Sequence, residues 1–215
     1  MVETTTGLIL RKRRLTESSL IIHWLTPSLG RLATVAKGAL RPKSTFRGRL
    51  DLFYEADFSF NRSRRSELHT LTEVRTREIH SSLRVDLSYL QQACYGAELV
   101  EQTTESDTPL PEIFELMRSL LEHLPRQGPM PQTVFAFETK LLHSLGLEPN
   151  TTESGLSAGA KCLLDVLGKS SWETIGRLRI SGPQENELSR FLERFMIYHL
   201  GRVPRERTTA LQGPA

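Results

Sequence analysis

Apolar positions in the first third of the chain fall in short runs. Thr5 to Leu10, Leu20 to Leu25 and Leu32 to Ala36 are three such runs, and Leu52 to Phe60 alternates so that Phe58 and Phe60 share a face. Leu68 and Leu71 mark a fifth. Thr26-Pro27-Ser28-Leu29-Gly30 has turn chemistry, whereas the connection from Gly38 to Arg49 follows no period. Five short strands within 80 residues predict a small β-barrel.

From Ser81 onward the period becomes helical. Leu83, Leu87, Leu90, Cys94, Ala97 and Val100 lie three or four residues apart, which lays one apolar stripe along a helix. A second helix opens at Pro111, carries Ile113, Leu116, Leu120 and Leu124 inward, and is expected to end at Pro125 and Gly128-Pro129. A third carries Val134, Phe137, Leu141 and Leu145 and closes at Gly146. Ser157 to Leu167 reads as a short helix capped by Ser157 and stopped by Gly168. Gln184 to Leu200 is the last, with Leu188, Phe191, Leu192, Phe195 and Met196 on its apolar face and Gly201 at its end. The segment 203–215 is polar and carries Gly and Pro, so a flexible tail is expected there. The whole is an α+β chain, with a barrel over 1–80 and an all-α domain over 81–202.

Composition narrows the class without naming a chemistry. With 215 residues, one large or two modest domains are both open; 38% hydrophobic and 25% charged residues describe a globular protein rather than a disordered or membrane-spanning one. The start, Met1-Val2-Glu3 followed by threonines, has no secretory pattern, so a cytoplasmic location is expected. Cys94 and Cys162 lack metal-ligand spacing and sit in apolar helical patterns, which predicts two buried thiols.

Charge is more informative. Residues 1–80 hold 15 Lys and Arg against 8 Asp and Glu, net +7, while the remainder holds 13 against 17, net −4. A cationic half in a chain of net charge +3 points to a polyanion, either nucleic acid or an acidic membrane surface. From Arg31 to Arg49 there are six cations, Arg31, Lys37, Arg41, Lys43, Arg47 and Arg49, and no acid. Arg11-Lys12-Arg13-Arg14 forms a second cluster, and the two are candidates for one surface. Single-strand binders add stacking platforms to such a groove; Phe46, Trp24, Tyr54 and Phe58 lie near it, and Phe46, between Thr45 and Arg47, is the best placed. The bland readings are that the run is a solvated face on which Arg47 or Arg49 pairs with Asp51 or Glu55, and that Trp24 and Phe58 are core residues.

The residues in order resemble a known family. Gly7-Leu8-Ile9-Leu10-Arg11, Glu17-Ser18, Leu25-Thr26-Pro27, Gly30-Arg31-Leu32, Ala36-Lys37-Gly38-Ala39, Arg41-Pro42-Lys43-Ser44, Phe46-Arg47-Gly48 and Glu67-Leu68-His69-Thr70-Leu71-Thr72 look like the N-terminal signature of RecO. Later stretches, Phe137-Glu138, Leu145-Gly146-Leu147 with Pro149, Leu156 to Ala160 and Tyr198 to Arg202, resemble that family's further landmarks. The resemblance implies an oligonucleotide-binding (OB) barrel followed by helices, no catalysis, and a role in recombinational DNA repair. It implies binding of single- and double-stranded DNA, annealing of complementary strands, contact with the single-strand-binding protein and with RecR, and help in loading the recombinase at the nucleoid. No membrane, small-molecule substrate, metal or other cofactor is implied. Carried over residue by residue, DNA contact falls to Lys37, Arg41 and Lys43 of the A-K-G-x-R-P-K-S segment and to Arg47 after it. Arg49, Arg11, Arg13 and Phe46 complete the candidate set.

Two departures stand out. Many members carry a four-cysteine zinc element where this chain has only Asn150 to Gly155, and the usual Gln-Pro after the F-R-G-x-L segment is Asp51-Leu52. Other motifs are decoys. Gly155-Leu156-Ser157-Ala158-Gly159 matches the nucleophile-elbow pattern but precedes a helix without a strand before it, and Gly168-Lys169-Ser170 lacks the first glycine of a phosphate loop, where Leu163 stands. Asn61-Arg62-Ser63 and Asn150-Thr151-Thr152 match glycosylation acceptors with no secretory context. The six histidines, His23, His69, His80, His123, His143 and His199, are scattered, which speaks against a metal-dependent nuclease. The remaining rival to a DNA-binding mediator is a scaffold that binds a partner peptide through its helices above a merely structural barrel.

Overall fold

Short apolar runs in the first third of the chain fold into five strands: β1 (Val2–Arg14), β2 (Leu20–Thr26), β3 (Gly30–Ala36), β4 (Glu55–Asn61) and β5 (Leu68–Glu78). In this computed structural model, which describes residues 2–149 and 155–212, they close in the order β1-β2-β3-β5-β4, with β3 and β5 parallel and the other pairs antiparallel. Closure leaves no open edge, and the five-stranded order is that of an OB barrel. β1 extends well past the expected Thr5 to Leu10 because it serves two neighbours. Val2 to Leu8 pairs with β4 and Leu8 to Arg14 with β2, around a bulge between Ile9 and Arg11. Its polar ends carry no apolar period and are held by the ladders and by side-chain contacts such as Arg62 with Glu3 and Lys12 with Asp51.

The barrel interior is filled by inward residues of every strand, among them Ile9, Ile22, Trp24, Leu32, Phe58, Phe60, Leu71 and Val74. Trp24 stacks on Phe58 at 4.0 Å between centroids, and its indole N–H donates to Thr34 Oγ1 at 2.9 Å. These two rings take the core role that the alternation allowed them.

Two compact units divide the chain, Met1–Ser81 with Thr104–Glu115, and Ser82–Thr103 with Leu116–Ala215. The segment Thr104–Glu115, which the sequence assigned to the helices, folds with the barrel. Gly30 makes this approach practicable: its φ is +68°, and a Cβ there would lie 2.2 Å from the Thr108 carbonyl oxygen. The Arg31 guanidinium donates to Thr104 Oγ1 at 2.7 Å and to the Thr104 carbonyl at 2.5 Å, and the Asp107 N–H donates to the Arg31 carbonyl at 2.9 Å.

The helices are α1 (Leu87–Thr103), α2 (Pro111–Gln127), α3 (Pro131–Ser144), α4 (Ala158–Lys169), α5 (Trp172–Arg177), α6 (Gly182–Leu200) and α7 (Arg207–Leu211). The first expected stripe is broken after a 3-10 turn at Ser81–Arg84, where Asp86 Oδ1 accepts from the Ser88 N–H at 2.9 Å and starts α1. Pro125 lies inside α2 rather than ending it. α3 is buried on all sides from Gln132 to Thr139 and packs against α1, α4, α5, α6 and α7, as a central helix must. Gly168 is inside α4 and serves close packing: a Cβ there would meet Thr139 Cγ2 at 3.1 Å.

Two expectations are corrected. The segment 203–215 is not a loose tail over its described part: Arg207 of α7 donates through Nε and Nη2 to both carboxylate oxygens of fully buried Glu138, at 2.7 and 3.1 Å. Tyr95 Oη donates to the same carboxylate at 2.5 Å, and Arg207 Nη1 to Ser189 Oγ at 3.2 Å. An ion pair has no hydrophobic period, so the sequence pattern did not reveal it. The thiols are not both buried, since Cys162 is exposed and Cys94 half-buried. Of the interval expected to replace a zinc element, Asn150 to Ser154 lies outside the described residues, as does the acceptor pattern at Asn150 to Thr152. Among the described residues no helix is long and apolar enough to cross a membrane.

Candidate nucleic-acid interface

Residues 37–54, between β3 and β4, form no strand and fold as successive turns. The N–H groups of Arg41, Ser44, Arg47 and Arg49 donate to the carbonyls of Gly38, Arg41, Ser44 and Phe46, at 3.0 to 3.2 Å. Gly38 and Gly48, with φ of +67° and +73°, supply the left-handed reversals. The loop is also tied to the β1–β2 turn, where the Leu40 N–H donates to the Ser18 carbonyl at 2.9 Å and the Gly38 N–H to Ser19 Oγ at 3.3 Å.

The spacing of residue types fixes which side chains face out. Ala39, Phe46 and Leu50 turn inward and join the barrel core. Lys37, Arg41, Lys43, Arg47 and Arg49, set between those anchors, are all exposed. A loop fastened at three apolar points holds its cations on the outside without fixing their long side chains, which suits contact with a phosphate backbone.

Ion pairing does not neutralise them. None of the five pairs with a described carboxylate, because Asp51, the nearest candidate in sequence, is engaged by Lys12 at 2.5 Å. Arg47 Nη1 donates to the Pro42 carbonyl at 3.3 Å, and Arg49 Nη1 to the Val74 carbonyl at 3.1 Å, so Arg49 is fastened along β5 while keeping its charge. Lys37, Arg41 and Lys43 make no hydrogen bond to a described residue through their side chains.

Phe46 is where the sequence expectation fails. Only 8% of it is exposed, and its ring belongs to the barrel core. It closes the barrel at this loop, packed among the core residues. Tyr54 packs half-buried against the same core.

Arg11 and Arg13 do not join Lys12. Successive strand residues point to opposite faces, and Lys12 shares a hollow of about 410 Å³ with Arg41 and Arg47, floored by Leu20, Ala39, Phe46 and Leu50. Arg11 and Arg13 point the other way, toward His23. Burial, reinforced by the charges of Arg13, Arg11 and Arg31, holds the His23 imidazole below its ordinary pKa. The expected single surface is therefore two cationic faces flanking β1. Arg31 is committed to Thr104 rather than to solvent. Of the second cluster it is Lys12 that meets the loop cations, while Leu20, Leu40 and Pro42, which also line the hollow, were not singled out as site residues by the sequence; only folding sets them around one space.

The decoys resolve into structural roles. Ser157 Oγ accepts from the Ala160 N–H at 3.2 Å and donates to Glu187 at 2.8 Å, a helix cap rather than a nucleophile. Lys169 pairs with Asp165 on its own helix at 2.5 Å. His69 stacks on Phe60 and His123 on Trp172. Among the described residues no group of three or more His, Cys, Asp or Glu is placed to hold a metal ion.

Comparison with known proteins agrees with this geometry. The family model described as "Recombination protein O N terminal" matches residues 1–80, and "Recombination protein O C terminal" matches residues 84–157. A DNA repair protein RecO from Alkaliphilus metalliredigens is 27% identical, over 94% of this chain and 96% of its own length. The protein of the same name from Desulforamulus reducens is 25% identical over 90% and 88%. That from Rhodopirellula baltica is 32% identical, over 67% of this chain and 54% of its own. A closed five-stranded barrel under the N-terminal match, helices under the C-terminal match and relatives aligned almost end to end place this chain in the recombination protein O (RecO) family.

Proposed function

We propose that this protein is a non-enzymatic mediator of DNA repair and homologous recombination, at work on the nucleoid in the cytoplasm. It binds single- and double-stranded DNA through the cations of the β3–β4 loop, with Lys37, Arg41, Lys43 and Arg47 as the main phosphate contacts, and anneals complementary strands. Its further task is to help load the recombinase onto DNA coated by the single-strand-binding protein, in contact with that protein and with RecR. One observation carries the DNA-binding reading: five exposed cations on one apolar-anchored loop, none neutralised by a described carboxylate. The relatives' printed name, a DNA repair protein, supports the biological setting.

The physical consequence is a salt law. Each phosphate neutralised releases condensed counterions, so log affinity falls linearly with log salt, at a slope of about −0.7 per contact on single strands. Four contacts give a slope near −3, and affinity falls roughly fiftyfold between 50 and 200 mM salt. Titration of a labelled oligonucleotide across a salt series tests this with wild type and with Lys37→Glu combined with Arg41→Glu. The double variant should bind at least tenfold more weakly with a shallower slope. Unchanged affinity would instead favour the scaffold role, in which the barrel is structural only.

A further inference from the structure

The hollow beside the cationic loop has a chemistry that phosphate contact leaves unused. Its rim is charged, with Lys12, Arg41 and Arg47, and its wall and floor are apolar, from Leu20, Leu40, Pro42, Ala39, Phe46 and Leu50. Leu40, 41% exposed, stands at the edge although the chain has buried Ala39 beside it in the core. A surface meant only for phosphate oxygens gains nothing from an apolar floor, because a phosphate loses hydration there without a donor in return. A nucleobase has apolar faces and gains by leaving water. The volume, about 410 Å³, falls in the range of roughly 300–1,000 Å³ typical of sites that enclose small organic groups.

We infer that this hollow takes one unstacked nucleobase while Arg41 and Arg47 hold the flanking phosphates, so that the loop prefers single-stranded over double-stranded DNA. The inference rests on the DNA-binding reading above and deepens it. Duplex bases are stacked and paired, and extruding one opposes binding by a few kcal/mol; a single strand presents its bases at little cost. Duplex DNA therefore meets the rim and leaves the hollow empty. The site lies between the β1–β2 turn and the β3–β4 connection, so it shares the β1–β2 loop with the surface that OB barrels commonly use but leaves the β2–β3 face and the β4–β5 loop aside. Phe46, 8% exposed and part of the barrel core, forms part of the floor.

The test separates base capture from phosphate contact. Binding of a labelled single-stranded oligonucleotide is compared with that of a strand of equal length whose sugars carry no bases, and with a duplex of the same sequence, for wild type and Leu40→Ser. Leu40 is half-exposed and outside the barrel core, so the variant should fold, as its thermal melt will verify. Wild type should bind the base-free strand about tenfold more weakly than the intact one at the same salt slope, because the phosphates are unchanged. Leu40→Ser should lower intact-strand affinity several-fold while leaving duplex and base-free affinity unaltered. Equal wild-type affinity for intact and base-free strands, with normal salt dependence, overturns base capture but leaves the DNA-binding reading standing. A Leu40→Ser defect of equal size on all three ligands also overturns it. Failure of wild type to bind any of the three removes the DNA-binding reading itself.

Discussion

Replacing Phe46 by Leu distinguishes an anchor from a stacking platform. The side chain is 8% exposed and packs among the barrel core residues. Truncating a buried Phe to Ala costs about 3–5 kcal/mol; Leu restores much of the volume, so a loss of about 1–2 kcal/mol is expected. By the size scaling of thermal unfolding, each kcal/mol shifts the midpoint of a chain this long by about 2–4 °C, so Phe46→Leu should melt about 2–8 °C lower. At a temperature where both proteins are folded, DNA affinity should change less than about twofold, because the loop keeps an apolar anchor and its cations. A ring that stacked on a base would contribute about 1–3 kcal/mol per base, and its loss would weaken binding about fivefold or more. Melting followed by circular dichroism and fluorescence anisotropy titrations give both readings. An unchanged melt together with a tenfold loss of affinity would refute the assignment of Phe46 to the core.

Three further outcomes are expected. Gly30→Ala combines a left-handed backbone with a Cβ 2.2 Å from the Thr108 carbonyl oxygen, so it should destabilise by more than about 1–2 kcal/mol and open residues 104–110 to limited proteolysis; an intact, equally stable variant would contradict this packing. Arg207→Ala leaves Glu138 buried without its guanidinium partner and should cost about 3–5 kcal/mol in urea unfolding, with Glu138→Gln milder because the neutral amide needs no counter-charge. The His123 imidazole, desolvated and facing Arg126, is pushed down to about 4. Its folded pKa lies below the unfolded 6.5, so the unfolded chain takes up the proton first as pH falls. Stability is complete above about pH 6.5 and declines through pH 4, by up to about 3 kcal/mol. His123→Phe, which preserves the stack on Trp172, should lose less stability than wild type between pH 7 and pH 5, and an identical decline in both would exclude His123 as the source.

Much of the fold was legible in short-range pattern. Apolar runs in β2 and β3, alternation in β4 and apolar stripes along α2 and α6 mark elements because burying apolar surface is rewarded against almost any apolar neighbour, whatever residues supply it. The acid-free run from Arg31 to Arg49 is likewise a local fact, and it suffices to locate the exposed cations of the β3–β4 loop. Pairing between distant residues decided the rest. The polar ends of β1 became strand because β2 and β4 offered them ladders, and Arg11 and Arg13 parted from Lys12 because the strand sends neighbours to opposite faces. Asp51 was claimed by Lys12, 39 residues away, and Glu138 by Arg207, 69 residues away. Phe46 turned inward because the barrel had an open end to fill. Charges and polar backbone groups are satisfied only by particular partners in particular geometry, so their fate is set when the chain closes on itself; hydrophobic period is set residue by residue along the chain.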